Sequence, residues 1–185
     1  MQRPLNRALV GAAALAFALA STAQAQIGLT SNTATVTLNA TKTSTLTVTP
    51  STGTATIASI ADNSAANVFS GVSLQTDWNL TAGTSLRLVG WFTTPASALV
   101  NGTALIPSSR VEGGLNGGGW TAFTGAAVGT VGVAGGSLQL FNQAVAANLF
   151  NTRTDNLDLR LNLVGFPTTS AGLYTGTLNV QAVVQ

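Results

Sequence analysis

Apolar and polar residues alternate along much of this chain, in segments separated by short turn-forming sequences. The segment GVSLQTDWNL places alternate side chains on one side, namely Val72, Leu74, Thr76, Trp78 and Leu80. The residues between them are Ser, Gln, Asp and Asn. A period of two residues is typical of a β-strand with one buried face. The segment is therefore predicted to be a strand with Trp78 in the core.

The same rhythm recurs in five further segments, TATIASI, SLRLVGWF, SSRVEGGLNGGGWTAF, GSLQLFN and DNLDLRLNLVG. The third of these is predicted to be a hairpin with the glycine cluster Gly113–Gly119 at its tip. Roughly eight or nine strands and no convincing helix predict an all-β protein, an immunoglobulin-like antiparallel β-sandwich. An up-and-down barrel is the alternative. An outer-membrane barrel fits less well, because the aromatic residues form no girdle at the strand ends.

Both ends of the predicted domain also alternate. The opening TATVTLNATKTSTLTVT carries Thr at nearly every odd position from Thr33 and small or branched apolar residues at even positions, until Lys42 and Ser44 interrupt the pattern. This predicts a long strand with a bend or a change of sheet at the polar pair. The ending AGLYTGTLNVQAVVQ alternates from Tyr174 to Ala182 and predicts a last strand with one buried face.

The first residues have the pattern of a secretory signal peptide. Arg3 and Arg7 precede an apolar run, Ala8–Ala20, and small residues follow at Ala23–Ala25. The run is shorter than the ~20 residues that span a bilayer. We therefore expect a leader over residues 1–25, cleavage between Ala25 and Gln26, and a single secreted domain over residues 26–185 with no transmembrane anchor.

Removal of the leader changes the charge balance. Without Arg3 and Arg7, five basic and five acidic side chains remain, so the expected mature chain is neutral. Such a chain offers no basic surface for phosphates, which disfavours nucleic acid as a partner. A surface with so little charge also lacks the repulsion that keeps soluble proteins apart, which favours self-association.

The chain has no His and no Cys, which removes the commonest general base, the thiol nucleophile and the usual zinc ligands. The closest pair of acids, Asp155 and Asp158, is interpreted as part of a solvated strand face. We therefore expect no enzyme activity, no cofactor and no metal site. Glycan binding stays open, with Trp91 and Trp120 as candidate exposed aromatics.

The ending PTTSAGLYTGTLNVQAVV resembles the last strand of spore coat protein U-like domains and of bacterial fimbrial subunits. The residues that match are Ala171, Gly172, Tyr174, Leu178 and Val180. The opening Thr-rich segment resembles the first strand of those domains. A cysteine pair that many of them carry is missing here. Trp78-x-Leu80 also resembles one of the two Trp-x-Leu motifs of a cell-wall-binding domain, but the second motif is absent.

The resemblance implies a non-enzymatic subunit of a fimbria-like or coat-like surface assembly. In chaperone-usher fimbriae a neighbour's N-terminal extension supplies a strand that the sandwich lacks. Carried over to this chain, the candidate donated strand comprises Ala34, Val36, Leu38 and Ala40. The implied partners are other copies or related subunits and a periplasmic chaperone. The alternative is a monomeric module that binds cell wall or glycan.

Overall fold

The computed structural model describes residues 33–185. The predicted leader and its cleavage position at Ala25 lie outside the described residues. Contacts divide the chain into two units, and the second, Lys42–Gln185, holds all the described strands. Residues 33–44 have no regular secondary structure, so the single long strand predicted from Thr33 is wrong for this part of the chain. The first strand begins only at Thr45, after the polar pair Lys42 and Ser44.

Eleven strands and two single turns of 3-10 helix make up residues 33–185, and no α-helix is found there. This confirms the all-β prediction. Three strands that the sequence did not indicate, at Asn67–Val68, Leu99–Asn101 and Ala104–Ile106, have only two or three residues. The predicted strand TATIASI is wrong, because residues 54–60 form no strand. The strands are β1 Thr45–Pro50, β2 Asn67–Val68, β3 Val72–Asn79, β4 Ser85–Trp91, β5 Leu99–Asn101, β6 Ala104–Ile106, β7 Val111–Leu115, β8 Thr121–Ala122, β9 Ser137–Ala144, β10 Phe150–Leu161 and β11 Asn179–Val184.

The strands form two principal antiparallel sheets. The large sheet has six strands in the order β1-β3-β10-β7-β8, with β2 also paired to β10, and the small sheet has the order β11-β4-β9. A separate hairpin joins β5 to β6. Both principal sheets end in edge strands, so the arrangement is an open sandwich and not a closed barrel.

The strand order follows the immunoglobulin arrangement, in which strands A-B-E-D form one sheet and C-F-G the other. In chain order, β1, β3, β10 and β7 take positions A, B, E and D, while β4 and β11 take C and F. The remaining strand of the small sheet, β9, pairs with the other edge of β4. No strand of residues 33–185 occupies position G beside β11.

The core lies between the two sheets, where the inward positions of each alternating segment meet. Leu74 and Trp78 of β3 are buried, as predicted, and Leu86 and Leu88 of β4 are fully buried. Phe123 fills the space between the sheets and packs edge-on against Phe92, with ring centroids 5.3 Å apart. The predicted glycine hairpin is present, with Glu112 paired to Ala122 and Gly113 to Thr121, and residues 114–120 form its tip.

Asp155 does not lie on the solvated strand face that the sequence predicted. It shares the inward parity of Leu157 on β10 and is only 3% exposed. Its carboxylate accepts hydrogen bonds from Nε and Nη2 of Arg153, at 2.6 and 2.9 Å, and from Nδ2 of Asn116 at 2.7 Å. The guanidinium of Arg153 also lies over the ring of Phe141, 4.3 Å from its centroid. A buried carboxylate tolerates its desolvation because these charged and polar donors surround it.

Two loops at one end of the sandwich are joined through Asp62. The backbone N–H and the hydroxyl of Thr169 donate to Asp62 Oδ1 at 3.0 and 2.8 Å. These two hydrogen bonds lower the pKa of the Asp62 carboxyl below its usual value, the backbone bond contributing most. Asn63, the residue after Asp62, forms a second link: its Oδ1 accepts a hydrogen bond from the backbone N–H of Gly165.

This contact predicts a small, acid-sensitive contribution to stability. Because the pKa of Asp62 is lower in the folded chain, the stabilisation is present above the unfolded pKa of about 3.9 and is lost as the pH falls through the folded value. Asp62→Asn should therefore flatten the pH dependence of the urea midpoint between about pH 5 and about pH 2. Thr169→Val, which removes one donor, should flatten it partly. Identical pH profiles for wild type and Asp62→Asn would contradict the assignment.

Candidate assembly groove

Two edge strands, β1 and β11, lie next to each other along one side of the sandwich. The N–H of Ser51 donates to the carbonyl of Ser73 at 2.7 Å, continuing the antiparallel register in which Pro50 faces Leu74. Backbone groups alternate in direction along an antiparallel strand. Those of Leu46 and Val48 therefore point away from β3, toward the open side.

The same reasoning applies to β11. Ser85 and Gln185 exchange two backbone hydrogen bonds, of 2.8 and 3.0 Å. The backbone groups of Gln185 therefore point toward β4. Those of the residues at odd distances from Gln185, namely Val184, Ala182 and Val180, point away from β4. Their side chains pack against the core, so the open edge combines unpaired backbone groups with apolar side chains on the inner face.

An apolar cavity of about 340 Å³ opens at one end of these two strands, where Val48 and Pro50 of β1 and Val180 of β11 line it. We call it the edge groove. Val48 and the loop that follows β1 form one side, and Leu178 and Val180 form the other. Its floor consists of core side chains from both sheets, Leu74, Phe92, Leu157 and Leu159 among them. The alternating pattern predicts these floor residues as inward positions, but it does not predict the groove, because an inward strand position has the same pattern whether or not a groove opens above it.

The residues that carry the fimbrial resemblance lie in two places, some at the β5–β6 hairpin and some at this groove. The predicted last strand is shorter than expected, because β11 begins at Asn179 and not near Tyr174. Thr175 instead exchanges two backbone hydrogen bonds with Val100 of β5, of 2.8 and 3.0 Å. The Tyr174 hydroxyl accepts from the N–H of Ser170, and its ring packs against the core.

Further toward the N-terminus of this segment, the carbonyl of Ala171 accepts from Nδ2 of Asn101 at 3.2 Å. Gly172 has a φ of 138°, a backbone conformation that side chains rarely adopt. A Cβ at Gly172 would also meet the side chain of Asn101. Ala171 and Gly172 therefore form a turn held against the β5–β6 hairpin, and only Leu178 and Val180 of the matching residues reach the groove.

The candidate donated segment is exposed along its whole length. Val36 is 80% exposed and Leu38 is 88% exposed, and Ala34 and Ala40 are also exposed. These two branched side chains are among the most exposed large apolar residues of the described chain. Large apolar side chains at such exposure are candidates for contacts with another molecule.

The two candidate glycan aromatics lie on different sheets. Trp91 belongs to β4 of the small sheet and is half-buried outside the main core. Trp120 is 39% exposed and precedes β8, at the edge of the large sheet. The guanidinium of Arg160 stacks 4.6 Å from the centroid of the Trp120 ring and occupies one of its faces. The structure therefore does not bring the two tryptophans together into one binding surface.

Two further acids, Asp158 and Glu112, are occupied within the fold. Asp158 accepts from the N–H of Gly117 at 2.6 Å, and Glu112 pairs with Arg160 at 2.6 Å. Within residues 33–185 no three acidic side chains lie close enough together to hold a metal ion. No helix in that range has the length and apolar character needed to cross a membrane.

Comparison with known proteins gives no relative from which a function could be carried over. No protein-family model, curated protein or solved structure matches the chain. The resemblance to coat and fimbrial subunits thus stays a prediction from the sequence. Function has to be inferred from the edge groove and the two edge strands.

Proposed function

We propose that this protein is a secreted, non-enzymatic structural subunit of a bacterial cell-surface assembly. In this proposal residues 33–40 of one copy enter the edge groove of the next copy as an added strand. The observation that carries the proposal is the strand order, in which position G beside β11 has no described strand and an apolar groove opens there. Export by the predicted leader would bring the chain to the compartment where such assemblies form.

An open edge of this kind favours association. Unpaired backbone groups on an edge strand are a template for pairing with another chain, and soluble proteins usually protect such edges. Here the outward side chains of β11 are Asn179, Gln181 and Val183, which carry no charge and do not oppose pairing. Addition of a strand would satisfy the free groups of β11 and cover the floor of the groove at the same time.

The candidate strand is long enough to pair with the whole of β11, and its alternating pattern suits an edge with one apolar face. At a rise of about 3.3 Å per residue, residues 33–40 span about 26 Å and the six residues of β11 about 20 Å. When the alternating apolar residues Val36 and Leu38 face the groove, the intervening threonines face solvent. Each added backbone hydrogen bond contributes a net ~0.5–1.5 kcal/mol.

The proposal predicts concentration-dependent association that a peptide can inhibit. Purified protein should form dimers and longer chains in light scattering, and linear assemblies in electron microscopy. A synthetic peptide with the sequence of residues 33–41 should compete for the groove and shift the distribution toward monomers. A peptide with Val36 and Leu38 replaced by Ser is the matched control and should have little effect.

A strictly monomeric protein at high concentration would contradict the proposal and favour the alternative, a monomeric binding module. Association that the peptide leaves unchanged would show that the contacts between copies lie elsewhere. A periplasmic chaperone, if one acts on this chain, would be expected to cover the same groove before assembly.

A further inference from the structure

The outer face of the large sheet carries rows of hydroxyl, amide and carboxylate groups. The register of β1, β3 and β10 places Thr47, Asp77 and Thr152 in one row and Thr49, Gln75 and Thr154 in the next. We call these two rows, with Asn79 beside them, the polar grid. Neighbouring strands are about 4.8 Å apart and successive outward residues about 7 Å apart, so the groups form a regular array.

One charge lies within the polar grid. Asp77 accepts hydrogen bonds from Nε2 of Gln75 to both carboxylate oxygens, at 3.0 and 2.9 Å. A carboxylate has about four acceptor sites, so others stay available for a ligand's hydroxyl groups. Thr hydroxyls and Asn or Gln amides can each donate and accept. This combination suits a ligand that carries many hydroxyl groups and no charge.

An exposed aromatic ring borders the polar grid. Phe150, the first residue of β10, is 65% exposed and lies in register with Asn79. It has the same parity as Thr152 and Thr154, so its ring is on the same outer face. Sugars present apolar C–H faces between their hydroxyl groups, and a flat ring beside polar groups can contact both.

We propose that the polar grid and Phe150 bind a neutral polysaccharide. A polyanion is disfavoured because the grid contains a carboxylate and no basic side chain. The site is on the solvent side of the large sheet, whereas the edge groove opens toward its core side. Glycan binding is therefore independent of strand donation, and either property can be absent without the other.

Native gel electrophoresis with a polysaccharide in the gel tests this proposal. The probes are hydroxyethylcellulose, galactomannan and xyloglucan, each compared with a gel that contains none. At least one should retard the wild-type protein. Phe150→Ala and Asp77→Ala should each weaken binding at least about tenfold. Circular dichroism and thermal melting verify that both variants are folded.

Leu173→Ala is the matched control, because Leu173 is 80% exposed and lies outside the polar grid. It should bind as the wild-type protein does. Three outcomes would overturn the proposal: no retardation by any of the three probes, undiminished retardation of Phe150→Ala, or an equal loss in Leu173→Ala. The last would indicate a general effect of exposed apolar residues and not a site on this face.

Discussion

Leu38→Asp is expected to abolish self-association and to leave the sandwich folded. In the single chain Leu38 is 88% exposed, so its replacement removes almost no buried contact within the same molecule. In the edge groove of a neighbour the side chain would be covered, and burial of a Leu contributes ~1.5–3 kcal/mol. The introduced carboxylate would also be desolvated without a partner. At 1.4 kcal/mol per factor of ten, association should weaken by at least about 100-fold.

The matched control is Thr37→Asp, which introduces the same charge on the other side of the strand. Because Thr37 would face solvent, this variant should retain most of the association. Val36→Asp should behave as Leu38→Asp does. Light scattering over a concentration series measures association, and circular dichroism verifies the β-sheet content. If Leu38→Asp unfolds the protein, the segment belongs to the core of its own chain. If Thr37→Asp has the same effect, charge and not groove filling is the cause.

The strands of the two sheets could be predicted because each inward face leaves a local signal. In β3 and β10 the alternating apolar residues are consecutive in sequence, and their burial follows from a period of two. Asp155 could have been found in the same way, because it shares the parity of Leu157. The charge of Asp155 favoured the interpretation as a solvated face. However, Arg153 lies at an inward position of the same strand and forms an ion pair with Asp155. Two opposite charges on inward positions are a signal of a buried pair.

The edge groove could not be predicted, because it depends on which strands do not pair. Residues 33–40 and residues 174–182 both alternate clearly, but the first of these segments forms no strand and only part of the second does. Strand formation requires a partner with unpaired backbone groups, and the sequence does not name the partner. Residues 33–40 form no strand, whereas residues 45–50 pair with β3. Edge positions are therefore a property of the topology.

The polar grid illustrates the same limit. Gln75, Asp77 and Thr152 are each unremarkable as outward residues of an amphipathic strand. Only the register of β3 with β10 places Asp77 beside Thr152 and Phe150 beside Asn79. A one-residue change of register would separate these groups onto opposite faces. Sequence reasoning therefore favoured the tryptophans, which lie on different sheets.

Phe123→Ala is expected to be among the most destabilising single substitutions. The side chain is fully buried between the sheets, and two glycines border its ring. A Cβ built on Gly90 of the small sheet or on Gly113 of the large sheet would lie 3.0 Å from the ring. Truncation would leave a cavity and should cost about 3–5 kcal/mol of unfolding free energy in urea titrations. Phe150→Ala, which removes an exposed ring of the same size, should stay within about 0.5 kcal/mol.

The same packing predicts a compensating pair of substitutions. Gly113→Ala alone should destabilise the protein by about 1–3 kcal/mol, because the new methyl group meets both the Phe123 ring and Leu159. In a Phe123→Leu background the added methyl group should cost less, since the smaller side chain leaves it room. A double-mutant cycle measures this coupling, which we expect to exceed about 0.5 kcal/mol. Additive effects would show that Gly113 and Phe123 do not share the space between the sheets, and the packing described for this part of the core would be wrong.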